Sequence, residues 1–411
     1  MMTYCSTVPY GGSTGSSLPV VHRMSPCSPL GAAGKQDRSS VLHRDDTRLR
    51  SLFAVPVTGT TPNSSYEPEY HVTIGYGTPA QNLTVGFNAG SSGQTLLQCK
   101  PCGDSACAIP PFDPSQSSSI TQVPCGSPDC PLQNCTIGSS CSVIVKDKGI
   151  VQYGSVVVTD TLTLSQSTPT TMEDFRVTCL EMGATTTDSS SGILDLSRDK
   201  HSLASRAPSS PDMVAFSYCL PSELAVHQGF LSIGTLRPAG NTSYIALRSV
   251  AALPNMYFVR LAGIDLSLGG PQIPIPDGDA LIALHTTFTY LKPETYAGLC
   301  DQFRAQMTRY PVAPPMGVLD TCYNFTGLRS FGVPTIYLRF DNGVSMVLGI
   351  PVAMYFSDRD NPFSVGCLAF SSPVWAFPPG VSAVIGTLAQ EGTEMLYDVR
   401  AGKVGYIPGR C

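Results

Sequence analysis

The sequence predicts an all-β protein built as two related lobes, and three observations predict it. Val, Ile, Thr, Ser, Gly and Pro dominate, turn residues interrupt short apolar runs about every ten positions, and the chain echoes itself. "VGFNAGSSGQTLL" (85–97) is echoed by "LIALHTTFTYL" (281–291), and "SGILDLSRD" (191–199) by "SAVIGTLAQ" (382–390). In each half a β run ends in a small-residue turn, and an apolar-apolar-small step follows about 100 residues later, as an internal duplication would leave it. A chain of 411 residues can fill two sizeable cores. The boundary is expected near residue 225, with lobes over 66–225 and 226–411.

Taken in order, residues 1–65 differ from the rest. "LPVVHRMSPCSPL" and "SSVLHRDDTRLRSLF" carry Arg and His, the second with weak helical periodicity, and "TGTTPNSSYEPE" reads as a linker. This stretch is expected to be a propeptide-like segment. The amino terminus, "MMTYCSTVPYGGSTGSS", lacks a basic region followed by an apolar one, so it carries no signal peptide. Either the sequence begins downstream of one or the chain stays inside the cell. From Tyr70 onward short strands dominate. The one strong helix signal is "KPETYAGLCDQFRAQM" (292–307), where Tyr296, Leu299, Cys300, Phe303 and Met307 share a face and Pro293 stands near the start. No apolar run reaches membrane-spanning length and the tail after Tyr406 is no lipid-anchor signal, so a soluble protein is expected.

Charge excludes some partners. Formal net charge is −5 and only 13% of residues are charged, with no basic cluster to meet nucleic acid or an anionic membrane. The 15 cysteines are concentrated, with Cys99, Cys102, Cys107, Cys125, Cys130, Cys135 and Cys141 close together. That density reads as a disulfide framework formed in an oxidising compartment. Sequons at Asn63, Asn82, Asn134, Asn241 and Asn324 agree with a secretory route and with glycosylation.

Other chemistries find little support. "IGYGTPA" (74–80) has two glycines after a strand but no following helix and no basic residue for phosphate. "CKPC" with Cys107 could suggest zinc, yet there is no second such pair and no spaced His pair, so disulfides are the better reading and no metal or other cofactor is expected. The six His are scattered, and Ser91 and Ser92 in "AGSSG" lack the spacing of a nucleophile elbow.

Many ordered segments, however, are similar to one family. "YHVTIGYGTPAQNLTVGF", "LLQCKPC", "FDPSQSSSITQVPCGSPDC", "VVVTDTLTL", "SGILDLSRDKHSLASR", "AFSYCLPS", "GFLSIG", "TYLKPETYAGL", "LDTCYNFTG" and "MLYDVRAGKVGYIP" together resemble the pepsin-like aspartic peptidases (peptidase family A1), in their plant nepenthesin-like branch. The likeness covers roughly 68–411, and "VVHRMSPCSPL" resembles the family's prosegment. It implies two β lobes across a cleft that takes an extended peptide. It also implies the pairs Cys99–Cys102, Cys107–Cys179, Cys125–Cys141, Cys130–Cys135, Cys219–Cys411 and Cys322–Cys367. Cys5, Cys27 and Cys300 are left over, the last as a small buried residue on the helix.

Catalysis in that family needs one carboxylate from each lobe, the two sharing a proton so that one polarises the scissile carbonyl while the other activates water. The resemblance puts these positions at Asn88 and Ala283, and neither side chain ionises. Asn88 keeps the shape of Asp without its proton chemistry. Around them, Ala89 stands where a hydroxyl residue is usual, His285 where Gly is, Asp147 at the flap Tyr, Leu96 at a Trp and Asp195 at a Gly. The substrate-cleft set that the resemblance implies is Ala89, Gly90, Asp147, His285 and Thr286. Asp195 could be imagined as a displaced acid and His285 as a base, but a lone acid lacks a dyad partner and both read better as structural. The expectation is therefore a secreted or vacuolar, monomeric, catalytically inactive family member that holds a peptide or protein ligand as a binding or inhibitor-like protein. The alternative is an active aspartic endopeptidase.

Overall fold

The structure is a computed structural model and describes residues 5–7, 16–30, 39–53, 68–90, 94–99, 109–130, 139–147, 150–164, 170–182, 190–207, 216–234, 242–267 and 270–411. The chain divides into two units, residues 1–36 with 54–237 and residues 37–53 with 238–411. Residues 1–65, expected as a propeptide-like segment, contribute to both units. Residues 1–36 fall in the first unit and 37–53 in the second, and the later divide follows Arg237. The reason is strand pairing: His227–Ile233 is antiparallel to both Phe216–Cys219 and Ser16–His22, which keeps it in the first unit.

In the first unit, Tyr70–Tyr76 and Gln81–Asn88 form an antiparallel hairpin. Ser142–Asp147, Ile150–Thr163 and Thr171–Met182 form a long antiparallel meander, with Asp147 opposite Ile150 at its tip. Leu96–Gln98 runs parallel to Thr171–Met182. Gly192–Asp195, parallel to Gln81–Asn88, is buried at every position, as a parallel strand covered on both faces should be. The core gathers Val72, Ile74, Leu83, Val85, Phe87, Phe175, Val177 and Leu194. Tyr76 is buried among them and donates its hydroxyl to the Phe175 carbonyl at 2.8 Å.

In the second unit, Ser243–Arg248, Lys403–Pro408 and Thr393–Asp398 pair in sequence. Asp279–Ile282 runs parallel to Val381–Ile385, which is antiparallel to Thr289–Leu291. Two smaller sheets flank these, one built on Ile336–Phe340 and one on Val365–Leu368. The predicted helix is Pro293–Gln306, burying Leu299, Cys300 and Phe303 as expected. A second long helix, Ser39–Phe53, was expected only as weak periodicity. It buries Val41, Asp45, Arg48 and Leu49, so two charged residues interrupt the apolar stripe that would have announced it.

The disulfides correct several expected pairs. Cys99 bonds Cys179 and not Cys102, because the parallel register sets Leu97 beside Cys179 and brings the two Cα atoms to 5.3 Å. Cys179 is therefore not the partner of Cys107. Cys130 bonds Cys141 across 5.7 Å, in place of both Cys130–Cys135 and Cys125–Cys141. Cys5 and Cys27, expected to be left over, bond each other. Cys322–Cys367 is as expected, between directly opposed residues, and Cys125, Cys219 and Cys411 are also oxidised. Cys102, Cys107 and Cys135 lie outside the described residues. Cys300 is a free, buried thiol that accepts from the Thr321 hydroxyl at 3.3 Å, with burial pushing its pKa up. Asn82 and Asn324 are exposed, as sequons need, while Asn63, Asn134 and Asn241 are outside the described residues.

Where the amino-terminal strand meets the first unit, His22, Arg23, Glu69 and His71 are all buried, with His22 3.6 Å from Glu69. Burial, then the Arg23 charge, pushes His71 down to about 3. A depressed His binds fewer protons folded than unfolded, so its contribution is present above pH 6.5 and is lost as pH falls toward 3. Melting temperature is expected to fall between pH 6.5 and 4, and His71→Leu to flatten that slope, as calorimetry across this range would read.

Candidate functional site

Each unit carries the same device: a strand, a buried turn, and a second strand, with a parallel neighbour entering beside the turn. In the first unit, Phe87 lies opposite Leu194 and Asn88 opposite Asp195. Gly192–Asp195 is also antiparallel to Leu96–Gln98, the strand after the turn. Asn88 and Ala89 are buried, as is Gly90. The Asn88 Oδ1 accepts the Gly90 N–H at 2.9 Å, and the Asn88 carbonyl accepts the Leu196 N–H at 2.7 Å. Asn88 thus holds the turn in an Asx arrangement that an amide sustains as well as an acid.

Asp195 is fully buried beside it. Its Oδ1 accepts the Ser197 N–H at 3.0 Å and its Oδ2 the Ser197 hydroxyl at 2.9 Å. Both oxygens are engaged in capping the following turn, which supports the structural reading over a displaced acid. Leu96 is buried apolar filling. The backbone of Asp147 is in a strand, and its side chain, with Ser91 and Ser92, lies outside what is described.

In the second unit, Ile282 lies opposite Ile385, making Ala283 the counterpart of Asn88 and Gly386 that of Asp195. Ala283 is buried in an apolar cluster with Leu49, Leu281, Phe288, Tyr290 and Val384. A Cβ on Gly386 would stand 2.2 Å from the Phe288 carbonyl oxygen, so this turn closes in a way that a side chain forbids. The first unit accommodates Asp195 at that point and so closes differently.

Several backbone groups of this turn have defined partners. Ala283 N–H donates to the Ile385 carbonyl at 3.0 Å, and the Thr286 and Thr287 carbonyls accept from Thr387 and Leu388 at 2.8 and 3.0 Å. The fully buried Gln390 donates its side-chain amide to the carbonyls of Ala283 at 2.8 Å, Gly386 at 3.1 Å and Ile385 at 3.3 Å. The Thr287 and Phe288 N–H groups donate to the Asp45 carboxylate at 2.6 and 3.1 Å, and the Tyr290 hydroxyl to its Oδ2 at 3.0 Å. Asp45 is fully buried, and burial raises it to about 6 against the opposing pull of Arg48 and these three donors.

His285 is only 9% exposed, and burial, then the Arg48 charge, pushes it down to about 3. It stays neutral through the acid range and is too weak a base there to accept a proton from water, in line with the structural reading. Thr286 is buried, and its hydroxyl finds no hydrogen-bond partner among the described residues. Sequence reasoning named Asn88, Ala283, His285 and Thr286 but missed Asp45, Arg48 and Gln390. Only the Asp45–Arg48 spacing, one helical turn, could have pointed to them. Among the described residues no group of three or more His, Cys, Asp or Glu is placed to hold a metal ion.

Residues 70–235 match a family model described as xylanase inhibitor N-terminal, and residues 256–408 one described as xylanase inhibitor C-terminal. Aspartyl protease AED1 of Arabidopsis thaliana is 30% identical, over 97% of this chain and 87% of that protein. The chain belongs to the plant aspartyl protease family. Among this pepsin-like family's members, nepenthesin-2 of Nepenthes gracilis is 26% identical over 90% of this chain and 85% of its own. Of solved structures, conglutin gamma from lupine seeds aligns with a TM-score of 0.65 at 14% identity, covering 96% of this chain and 95% of that one. Soybean basic 7S globulin aligns with a TM-score of 0.61 at 15% identity, covering 96% of each chain. These likenesses establish the bilobal pepsin-like fold.

The Gln390 amide donates to the buried Ala283 and Gly386 carbonyls, while the Ile385 carbonyl also accepts the Ala283 N–H, so removing Gln390 takes hydrogen bonds from the first two. Gln390→Ala is expected to lower unfolding free energy by about 1–3 kcal/mol in urea titration, beyond the cost of an ordinary surface truncation.

Proposed function

We propose that this family member is catalytically inactive and serves as a binding or inhibitor-like protein. The observation that carries the reading is that Asn88 and Ala283, at the two positions the family resemblance assigns to acids, offer no ionisable group. Asn88 engages its Oδ1 with Gly90, and Ala283 is packed in an apolar cluster. A dyad mechanism requires two carboxylates sharing a proton, and one positioned acid or base is worth roughly 10²–10⁴ in rate. Matches to family models described for xylanase inhibitors, and a fold shared with seed globulins, support a role in binding. The partner class is a peptide or protein, held by a monomer without metal or cofactor. The oxidised cysteines support a secreted or vacuolar setting.

Incubation with a broad peptide mixture at pH 3–6 is expected to give no specific cleavage; turnover blocked by a statine-type inhibitor would overturn the reading.

Restoring the acids alone is expected to change little. Asn88→Asp with Ala283→Asp should fold with a lowered melting temperature, since residue 283 sits in an apolar cluster, and stay near background on casein-like substrates. Ala89, the neutral His285 and the engaged turn backbone remain unsuited to a dyad, so robust inhibitor-sensitive activity from these two changes would count against it.

A further inference from the structure

The buried turn after Ala283 leaves two main-chain donors, the Thr287 and Phe288 N–H groups, for which strands and turn residues offer no acceptor. Both are satisfied by one carboxylate, Asp45, which also accepts the Tyr290 hydroxyl. Three donors converging on a side chain buried to 0% exposure make a site that recognises the carboxylate group itself. Apolar contacts hold the same helix in place. Leu49, fully buried, joins the cluster containing Ala283 and Phe288, and at the helix end Phe53 meets Trp375 and Phe377 edge-on, each at 6.0 Å between ring centroids.

We propose that this turn is a carboxylate-binding site whose resident ligand is Asp45 of the chain's own helix Ser39–Phe53, so that the helix is a permanent part of the second unit and not a detachable segment. Where the related dyad would place an acid at 283, an apolar residue stands, and Leu49 of the helix belongs to the same apolar cluster. The acceptor oxygens come from the helix, and the turn supplies the donors.

The groups around Asp45 determine how acid acts on the helix. These are Arg48 and Asp46 on its own helix, and His285 and Tyr290 on the turn and strand it meets. Asp46 is engaged with Arg50 at 2.8 Å on the surface. Asp45 is raised from 3.8 to about 6, so its share of docking is present below 3.8 and is lost as pH rises through about 6. His285 is lowered from 6.5 to about 3, so its share is present above 6.5 and is lost as pH falls toward 3. The two slopes oppose each other between about 4 and 6, and mild acid does not release the helix.

Amide hydrogen exchange on the full chain tests the proposal, together with the emission of Trp375, the sole tryptophan. In the wild type at pH 5 the Thr287 and Phe288 amides are expected to be as protected as that of Ala283, which donates to Ile385. Asp45→Ala removes both acceptor oxygens from these donors. It is expected to speed exchange at 287 and 288 by about tenfold or more, to leave Ala283 unchanged, and to shift Trp375 emission to the red as Phe53 withdraws. Open 287 and 288 amides in the wild type, or equal protection in the variant, would overturn the proposal. If the variant does not fold, the wild-type rates and a Trp375 emission constant from pH 4 to 6 decide; an emission that reddens in that range counts against it. The outcome is independent of whether the chain cleaves peptides.

Discussion

A turn closed inside a protein must find a partner for every main-chain polar group, because each one left unpaired in the interior costs free energy comparable to a lost hydrogen bond. That requirement governs the second unit from residue 283 to 288. Strand pairing joins the Ala283 N–H to the Ile385 carbonyl, the residues after Gly386 donate to two carbonyls, and the Gln390 amide donates to those of Ala283 and Gly386. Two further donors, the Thr287 and Phe288 N–H groups, are met from far away in sequence by Asp45, 242 residues before Thr287. The helix is therefore bound to the unit by the unit's own backbone requirement as well as by apolar contact.

The same economy explains why the two turns survive without acids. A carboxylate in such a turn has both structural and chemical uses, and the two are separable. Asn88 keeps the structural one through its Oδ1, and Asp195 beside it caps Ser197 with both oxygens. At 283 the structural use is served by main-chain groups, so an apolar side chain is tolerated in the cluster with Leu49 and Phe288. His285 and Arg48 then share a buried region in which the imidazole is held neutral.

Much of this could be read in the sequence. The echoes between 85–97 and 281–291 and between 191–199 and 382–390 correspond to the two strand-turn-strand devices, down to the matched pairs Phe87 with Leu194 and Ile282 with Ile385. Helix Pro293–Gln306 was legible because its buried face is apolar. Helix Ser39–Phe53 was not, because Asp45 and Arg48 occupy its buried face and their partners lie in another part of the chain. Cysteine spacing misled for a related reason: Cys99 sits near Cys102 in sequence but beside Cys179 across a parallel ladder, which no local spacing records. Gln390 looked like one polar residue after an apolar step, and only the folded turn reveals the three carbonyls it serves.

The central proposal is that the second unit's turn holds a helix and does not cleave peptide bonds. Intact-mass measurement of the purified full chain after prolonged incubation at pH 3–4 tests it most directly. The account predicts an unchanged mass, with residues 39–53 still covalently part of the protein. Self-cleavage that sheds this segment, blocked by a statine-type inhibitor, would contradict it.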